Sequence, residues 1–204
     1  MNTNRLEAFS DGVLAVAITL LVLDITVPQA TANASLAHEL ARNWPHYAAY
    51  VTSFLTIGII WVNHHAMISR LREADHAILI LNLLLLLSIG ILPFATSLMA
   101  AYLKQPSGQH LAAAVYGGSF LLMSILFGEL NRHILLHKAH FLVTPMTEWR
   151  RRQIRARAAA GLIPYVVATA LAAVSAYATL AVCAAVAVYY ALPRASGMER
   201  SSTE

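Results

Sequence analysis

Residues 5–25 read RLEAFSDGVLAVAITLLVLDI, an apolar stretch whose polar residues gather towards its two ends. As a single α-helix of about 21 residues rising ~1.5 Å each, it reaches about 30 Å, the thickness of a bilayer's hydrocarbon core. Its polar residues exceed what an anchor requires. Arg5, Glu7, Ser10 and Asp11 crowd the entry, Thr19 sits in mid-span and Asp24 closes the far end. At about 100° per residue, Val16, Leu20 and Leu23 form a narrow stripe with Gly12 and Thr19 on its flanks, and Asp11 lies about 140° from Val16. One helix thus offers an apolar stripe to one neighbour and a carboxylate to another.

The surrounding composition fits a membrane protein. Of 204 residues, 58% are apolar and 12% charged, against about 25% charged in a soluble domain. That leaves little room for a separate soluble domain. The net charge of +4 is explained by where the charges sit and gives no reason to expect nucleic acid as a partner. The single Cys183, inside an apolar run, excludes an intramolecular disulfide and reads as a small buried side chain. The N-terminus also invites a signal-peptide reading, with Ala32-Asn33-Ala34 as cleavage site. Glu7, Asp11 and Asp24 oppose it, because a secretory apolar core has no use for acids, so the stretch is read as a retained helix.

Six spans are expected, at about 7–27, 44–66, 76–101, 111–131, 156–174 and 177–192. The last two divide a run without Asp, Glu, Lys or Arg over 158–192, which at ~52 Å would be too long for one helix across the core. The division is placed near Ser175 to Tyr177, although no Gly or Pro marks it. Six spans put Arg5, Arg70, Arg72, Arg132, Lys138, Arg150, Arg151, Arg152, Arg155, Arg157, Arg194 and Arg200 on one side, and only Arg42 and Lys104 on the other. The positive-inside rule then places both termini in the cytoplasm. Pro93 and Pro164 are expected to kink their helices. The loop after Pro28 has room for a short helix around Leu36 to Leu40, and the basic segment 132–156 reads as a loop lying along anionic headgroups.

No Gly-rich phosphate loop, nucleophile elbow or zinc-type Cys spacing occurs. His133, His137 and His140, at i, i+4 and i+7, raise a metal site, but Glu129 is nearly the only carboxylate near them. Neither an enzyme, a cofactor nor a metal is expected. Asp11, near the membrane core, requires a partner. Arg5 and, at the inner end of the second helix, Trp61, Asn63, His64 and His65 are the candidates. Asn82 and Ser88, by contrast, read as ordinary hydrogen-bonding groups between helices. By their residues alone, Val16, Leu20 and Leu23 form a packing seam or a pore lining. Thr19 either bonds back to the carbonyl of Ala15 or faces a lumen.

The run R-x-x-x-F-S-D, here Arg5, Phe9, Ser10 and Asp11, followed by GVLAVAITLLVLDI, resembles the first-helix signature of the transmembrane protein 175 family, and WVNHH at 61–65 resembles its second-helix pattern. Bacterial members are potassium-permeable channels, and lysosomal members carry two tandem copies of the unit. The resemblance implies an all-α integral membrane protein in the cell membrane, with six transmembrane helices per subunit and subunits arranged as a homotetramer. It implies passive potassium conduction along the first helix, with Val16, Leu20 and Leu23 as an apolar constriction and Thr19 contributing to selectivity. Val16 stands where the family often has Ile or Leu, which puts the width of the narrowest ring in question. By the same resemblance, Arg5, Phe9, Ser10 and Asp11 pack against Trp61, Asn63 and His64 and hold the pore helix in place. A proton- or cation-coupled secondary transporter is the alternative, with Asp11, Asp24 or Glu129 as titrating carrier.

Overall fold

The computed structural model describes residues 3–28 and 35–192; Ala32 to Ala34, Arg194 and Arg200 lie outside them. The described elements are helical: α1 (Thr3–Leu20) continued by a 3-10 turn (Leu21–Asp24), α2 (Leu36–Arg42), α3 (Trp44–Ile68), α4 (His76–Gly90), α5 (Leu92–Tyr102), α6 (Gln109–His137), α7 (Glu148–Leu171) and α8 (Ala176–Ala191). Among the described residues five segments are long and apolar enough to cross a membrane: Thr3–Asp24, Trp44–Ile68, His76–Tyr102, Gln109–His137 and Glu148–Leu171. The sixth, α8, is apolar but has only 16 residues.

Local chemistry sets the breaks. Pro93, in the first turn of α5, cannot donate to the helix before it, so the third span is divided between α4 and α5. Pro164 lies inside α7, which continues through it. The long apolar run parts between Leu171 and Ala176, where Ser175 turns extended and its hydroxyl accepts from the Ala178 N–H at 3.2 Å. This serine N-cap does the work that no Gly or Pro was available to do. Asp75 caps α4 in the same way, accepting from the Ile78 N–H at 3.0 Å. Gly108 starts α6 at φ +99°, a left-handed conformation, and a Cβ there would come 2.8 Å from the Tyr102 ring.

The basic segment 132–156 is mostly helix and not a loop. α6 runs on to His137 and α7 begins at Glu148, leaving a connection that includes a 3-10 turn at Ala139–Phe141. Charge ends an apolar span but does not end a helix. Glu129 with Arg132 and Glu148 with Arg151 form i, i+3 pairs that support the extra turns, and Thr147 caps the start of α7.

The core lies where α3, α5, α6 and α8 meet around the fully buried Tyr116, Phe120, Ile57 and Met99. A hydroxyl chain crosses it. Thr96 donates to the Leu92 carbonyl at 2.7 Å, so Ser53 donates to Thr96 at 2.8 Å and Tyr116 to Ser53 at 3.1 Å. α6 and α7 approach closely at Gly117, where a Cβ would stand 3.2 Å from the Thr169 Cα. At one end of the bundle Lys104 donates to the Arg42 carbonyl at 2.8 Å and lies over the Trp44 ring. At the other end Lys138 pairs with Asp75 at 2.8 Å and Arg72 donates to the Val143 carbonyl at 2.9 Å. The charge asymmetry of the sequence is thus an asymmetry between the two ends of the bundle.

Candidate functional site

α1 is held along one side and bare along the other. Leu14, Ala17 and Leu21 are buried, a stripe that faces α3 and α4. Among these contacts runs a buried polar chain. The Ser10 hydroxyl donates to the Leu6 carbonyl at 2.8 Å and accepts from the Asn82 amide nitrogen at 3.0 Å. The Asn82 oxygen then faces Nε2 of His64 at 2.7 Å. An amide oxygen only accepts, so the His64 ring carries its proton on Nε2. Its other nitrogen, Nδ1, is buried with no partner among the described residues. Ser10, His64 and Asn82 are all buried, and together they tie α1, α3 and α4 at one level.

Beside this chain stand two rungs between α1 and α3. The Trp61 indole N–H donates to Asp11 Oδ1 at 2.9 Å, and His65 Nδ1 meets Glu7 Oε1 at 2.6 Å. Glu7 and Asp11 are one turn apart on α1, Trp61 and His65 one turn apart on an antiparallel α3, so both pairs fall in register. The Trp61 and His65 rings lie 6.4 Å apart.

Of the residues expected around Asp11, the fold brings Ser10, Trp61 and His64 together. Arg5 and Phe9 are exposed on the single chain, and no described residue bonds the Arg5 side chain. Asn63 is exposed and donates to its own helix, to the Ile59 carbonyl at 2.8 Å. Asn82 and the Glu7–His65 pair are additions that the motif did not announce. The signal for Asn82 was a lone amide in the otherwise apolar run ILILNLLLLL.

The bare side carries the apolar stripe: Val16 is 57% exposed, Leu20 44% and Leu23 71%. Leu23 lies in the 3-10 turn, where side chains at i and i+3 eclipse, so it stays aligned with Leu20. Thr19 is exposed, and its hydroxyl donates to the Val16 carbonyl at 2.9 Å, one residue on from the Ala15 carbonyl of the backbone-bonded alternative. That bond uses the hydroxyl proton and leaves the oxygen's lone pairs outward. A shallow groove of about 530 Å³ runs along this side, past Phe9, Gly12, Val16 and Leu20. At the far end Asp24 accepts from the Ser97 hydroxyl at 2.5 Å, with His46 Nε2 3.9 Å away.

The remaining histidines do not build a centre. His133 and His137 stack with ring centroids 5.3 Å apart, and among the described residues no three His, Cys, Asp or Glu side chains converge as metal ligands.

The sequence and the fold are similar to those of known proteins. The profile of the family described as endosomal/lysosomal potassium channel TMEM175 matches residues 5–93. A protein of Streptomyces collinus named as a potassium channel is 44% identical over 188 residues, 92% of this chain and 91% of its own. The human protein named endosomal/lysosomal proton channel TMEM175 is 35% identical over 150 residues, 70% of this chain and 30% of its own. Among solved structures, the crystal structure of a lysosomal potassium-selective channel TMEM175 homolog from Chamaesiphon minutus superposes with a TM-score of 0.84 at 40% identity, covering 96% of this chain and 98% of that one. Sequence and fold agree along nearly the whole length, and this multi-pass membrane protein belongs to the TMEM175 family.

Proposed function

We infer that the chain is a subunit of a potassium-permeable cation channel of the cell membrane, conducting passively through a pore lined by α1. The observation that carries this reading is the two-sidedness of α1. One side is pinned by Trp61–Asp11, His65–Glu7 and the Ser10–Asn82–His64 chain, while the other offers Val16, Leu20 and Leu23 bare. One stripe cannot enclose a lumen, so several copies surround an axis, and cyclic symmetry closes the ring. We take that ring to be a homotetramer, the number that the family resemblance implies. An apolar constriction gates by dewetting, and the outward lone pairs of Thr19 replace part of the water that a passing ion loses. Val16, shorter than Leu or Ile, makes the narrowest ring wider. Arg5 and Phe9, exposed on the single chain, then meet a neighbouring subunit. The basic end of the bundle faces the cytoplasm. The relatives named as potassium channels support the choice of ion.

Single-channel recording of the reconstituted protein under potassium and sodium gradients tests this. Ohmic currents with a reversal potential displaced towards potassium are expected. Flux that saturates and follows a proton gradient would favour the coupled transporter instead. Asp11 and Asp24 are each engaged by a neighbouring helix, which suits carboxylates that hold structure better than ones that load and release a proton.

A further inference from the structure

We propose that the groove between α6 and α7, at the basic end of the bundle, binds an anionic phospholipid, with the phosphate on Arg152 and Arg155 and an acyl chain along the wall below. The groove encloses about 740 Å³ and is lined by both arginines, by Arg132 and by the apolar Ile125, Ala159 and Leu162. Its charges are not equivalent. Arg132 is bound to Glu129, and Glu148, also on the lining, is bound to Arg151. Among the described residues no acid or acceptor bonds Arg152 or Arg155, so these two guanidiniums remain on the lining once Glu129 and Glu148 are paired with Arg132 and Arg151.

Their depth suits a headgroup. From the outer end of α7 at Leu171, a hydrocarbon core of ~30 Å reaches back about 20 residues, which is the level of Arg152. Arg155, Ala159 and Leu162 follow one another at i, i+4 and i+7 and so share one face. The face passes from charge at the membrane boundary to apolar surface within it, as a phospholipid does. Basic pockets between transmembrane helices on the cytoplasmic side are the usual form of such a site. The groove also stays open to lipid: α7 packs on α6 and α8, whereas the bare stripe belongs to α1, whose main neighbours are α3 and α4. A ring closed around α1 leaves the α6–α7 face outward. The outward position of this face rests on the ring proposed above, whereas lipid binding in the groove requires no ion conduction.

The test is native mass spectrometry of the full-length protein in detergent, titrated with phosphatidylglycerol or phosphatidylcholine. Wild type is expected to retain phosphatidylglycerol preferentially. Arg152→Gln with Arg155→Gln should weaken that binding about thirtyfold at low salt. Arg150→Gln with Arg157→Gln, which removes the same charge off the groove, should leave it within about twofold. Ala159→Leu, which fills the wall and keeps both arginines, should also weaken it, and millimolar inorganic phosphate should not displace the lipid. Retained preference in the Arg152/Arg155 variant, equal loss in the off-groove pair, unchanged binding in Ala159→Leu, or displacement by inorganic phosphate would each overturn the proposal.

Discussion

Asp11 on α1 is held by the indole of Trp61 on α3, N–H to Oδ1 at 2.9 Å, and not by the arginine that precedes it in the motif. A neutral donor on a half-buried carboxylate gives a different energetic picture from a buried ion pair. Removing one partner of a fully buried pair costs roughly 3–5 kcal/mol, whereas a single hydrogen bond to a charged group contributes about 1.5–3 kcal/mol. Trp61→Phe keeps the ring and deletes only the donor. We expect it to destabilise the folded protein by that smaller amount, measured by thermal unfolding in detergent, and Asp11→Asn, which keeps an acceptor, to cost less than Asp11→Ala. Weakened subunit association in Asp11→Ala, with unchanged selectivity in the channels that still assemble, would accord with the holding role; a stable assembly with altered ion preference would contradict it.

The chain from His64 through Asn82 to Ser10 runs in one direction of donation, which makes its members unequal. Asn82→Leu strands the His64 Nε2–H in the interior and takes away the Ser10 acceptor's partner, at about 1–3 kcal/mol for the unsatisfied donor. Ser10→Ala strands only one amide hydrogen of Asn82 and should cost less. Pairing Asn82→Leu with His64→Leu should recover part of the loss, because the stranded donor goes too. Unfolding midpoints of the three variants check the order.

Asp75 gives a pH-dependent contribution with a definite sign. Its carboxylate, outside the spans, accepts from Lys138 and from the Ile78 N–H at the start of α4, and these bonds hold its pKa below the ordinary carboxylate value. A depressed folded pKa means the stabilisation is complete above the unfolded pKa, about 3.9, and is lost as pH falls through the lower folded value. Stability measured from pH 7 to pH 3 should therefore show a gap between wild type and Asp75→Asn that is constant above about pH 5 and narrows below about pH 4. Asp75→Ala, which also removes the cap, should be less stable than Asp75→Asn at every pH.

Thr19 donates its proton to the Val16 carbonyl, so only its oxygen is available outward. Thr19→Ala should keep conduction and lower the potassium-to-sodium permeability ratio, and Thr19→Ser should largely preserve it. A tenfold preference corresponds to about 1.4 kcal/mol, within reach of a ring of hydroxyl oxygens. The reversal potential under bi-ionic conditions decides, and an unchanged value in Thr19→Ala would leave the hydroxyl with its backbone bond alone.

Much of this was legible in the residues, for identifiable reasons. Apolar runs mark spans because lipid selects for them, and the same runs mislead where a helix outlasts the membrane, as at His137 and Glu148. The break before α8 was placed by length, and its physical cause, the Ser175 cap, is a short-range signal that a hydropathy reading passes over. Trp61 stood among the partners proposed for Asp11 because spacing puts it at the same depth. Asn82 did not, because depth alone cannot say which face of α4 meets Ser10. Arg5 and Phe9 show the opposite limit: a motif binds residues together in sequence, yet on one chain these two are exposed.

If the bare stripe of α1 borders an aqueous ion path, single cysteines at 16, 20 and 23 in reconstituted channels will react with a small water-soluble thiol reagent, and no measurement tests the pore more directly. The one native thiol, Cys183, is buried and gives no background. Modification at Val16→Cys, Leu20→Cys and Leu23→Cys should progressively block potassium current, while Leu14→Cys, on the packed side, should stay unmodified. Cysteines on the stripe that remain unreactive while the channel conducts would contradict the account.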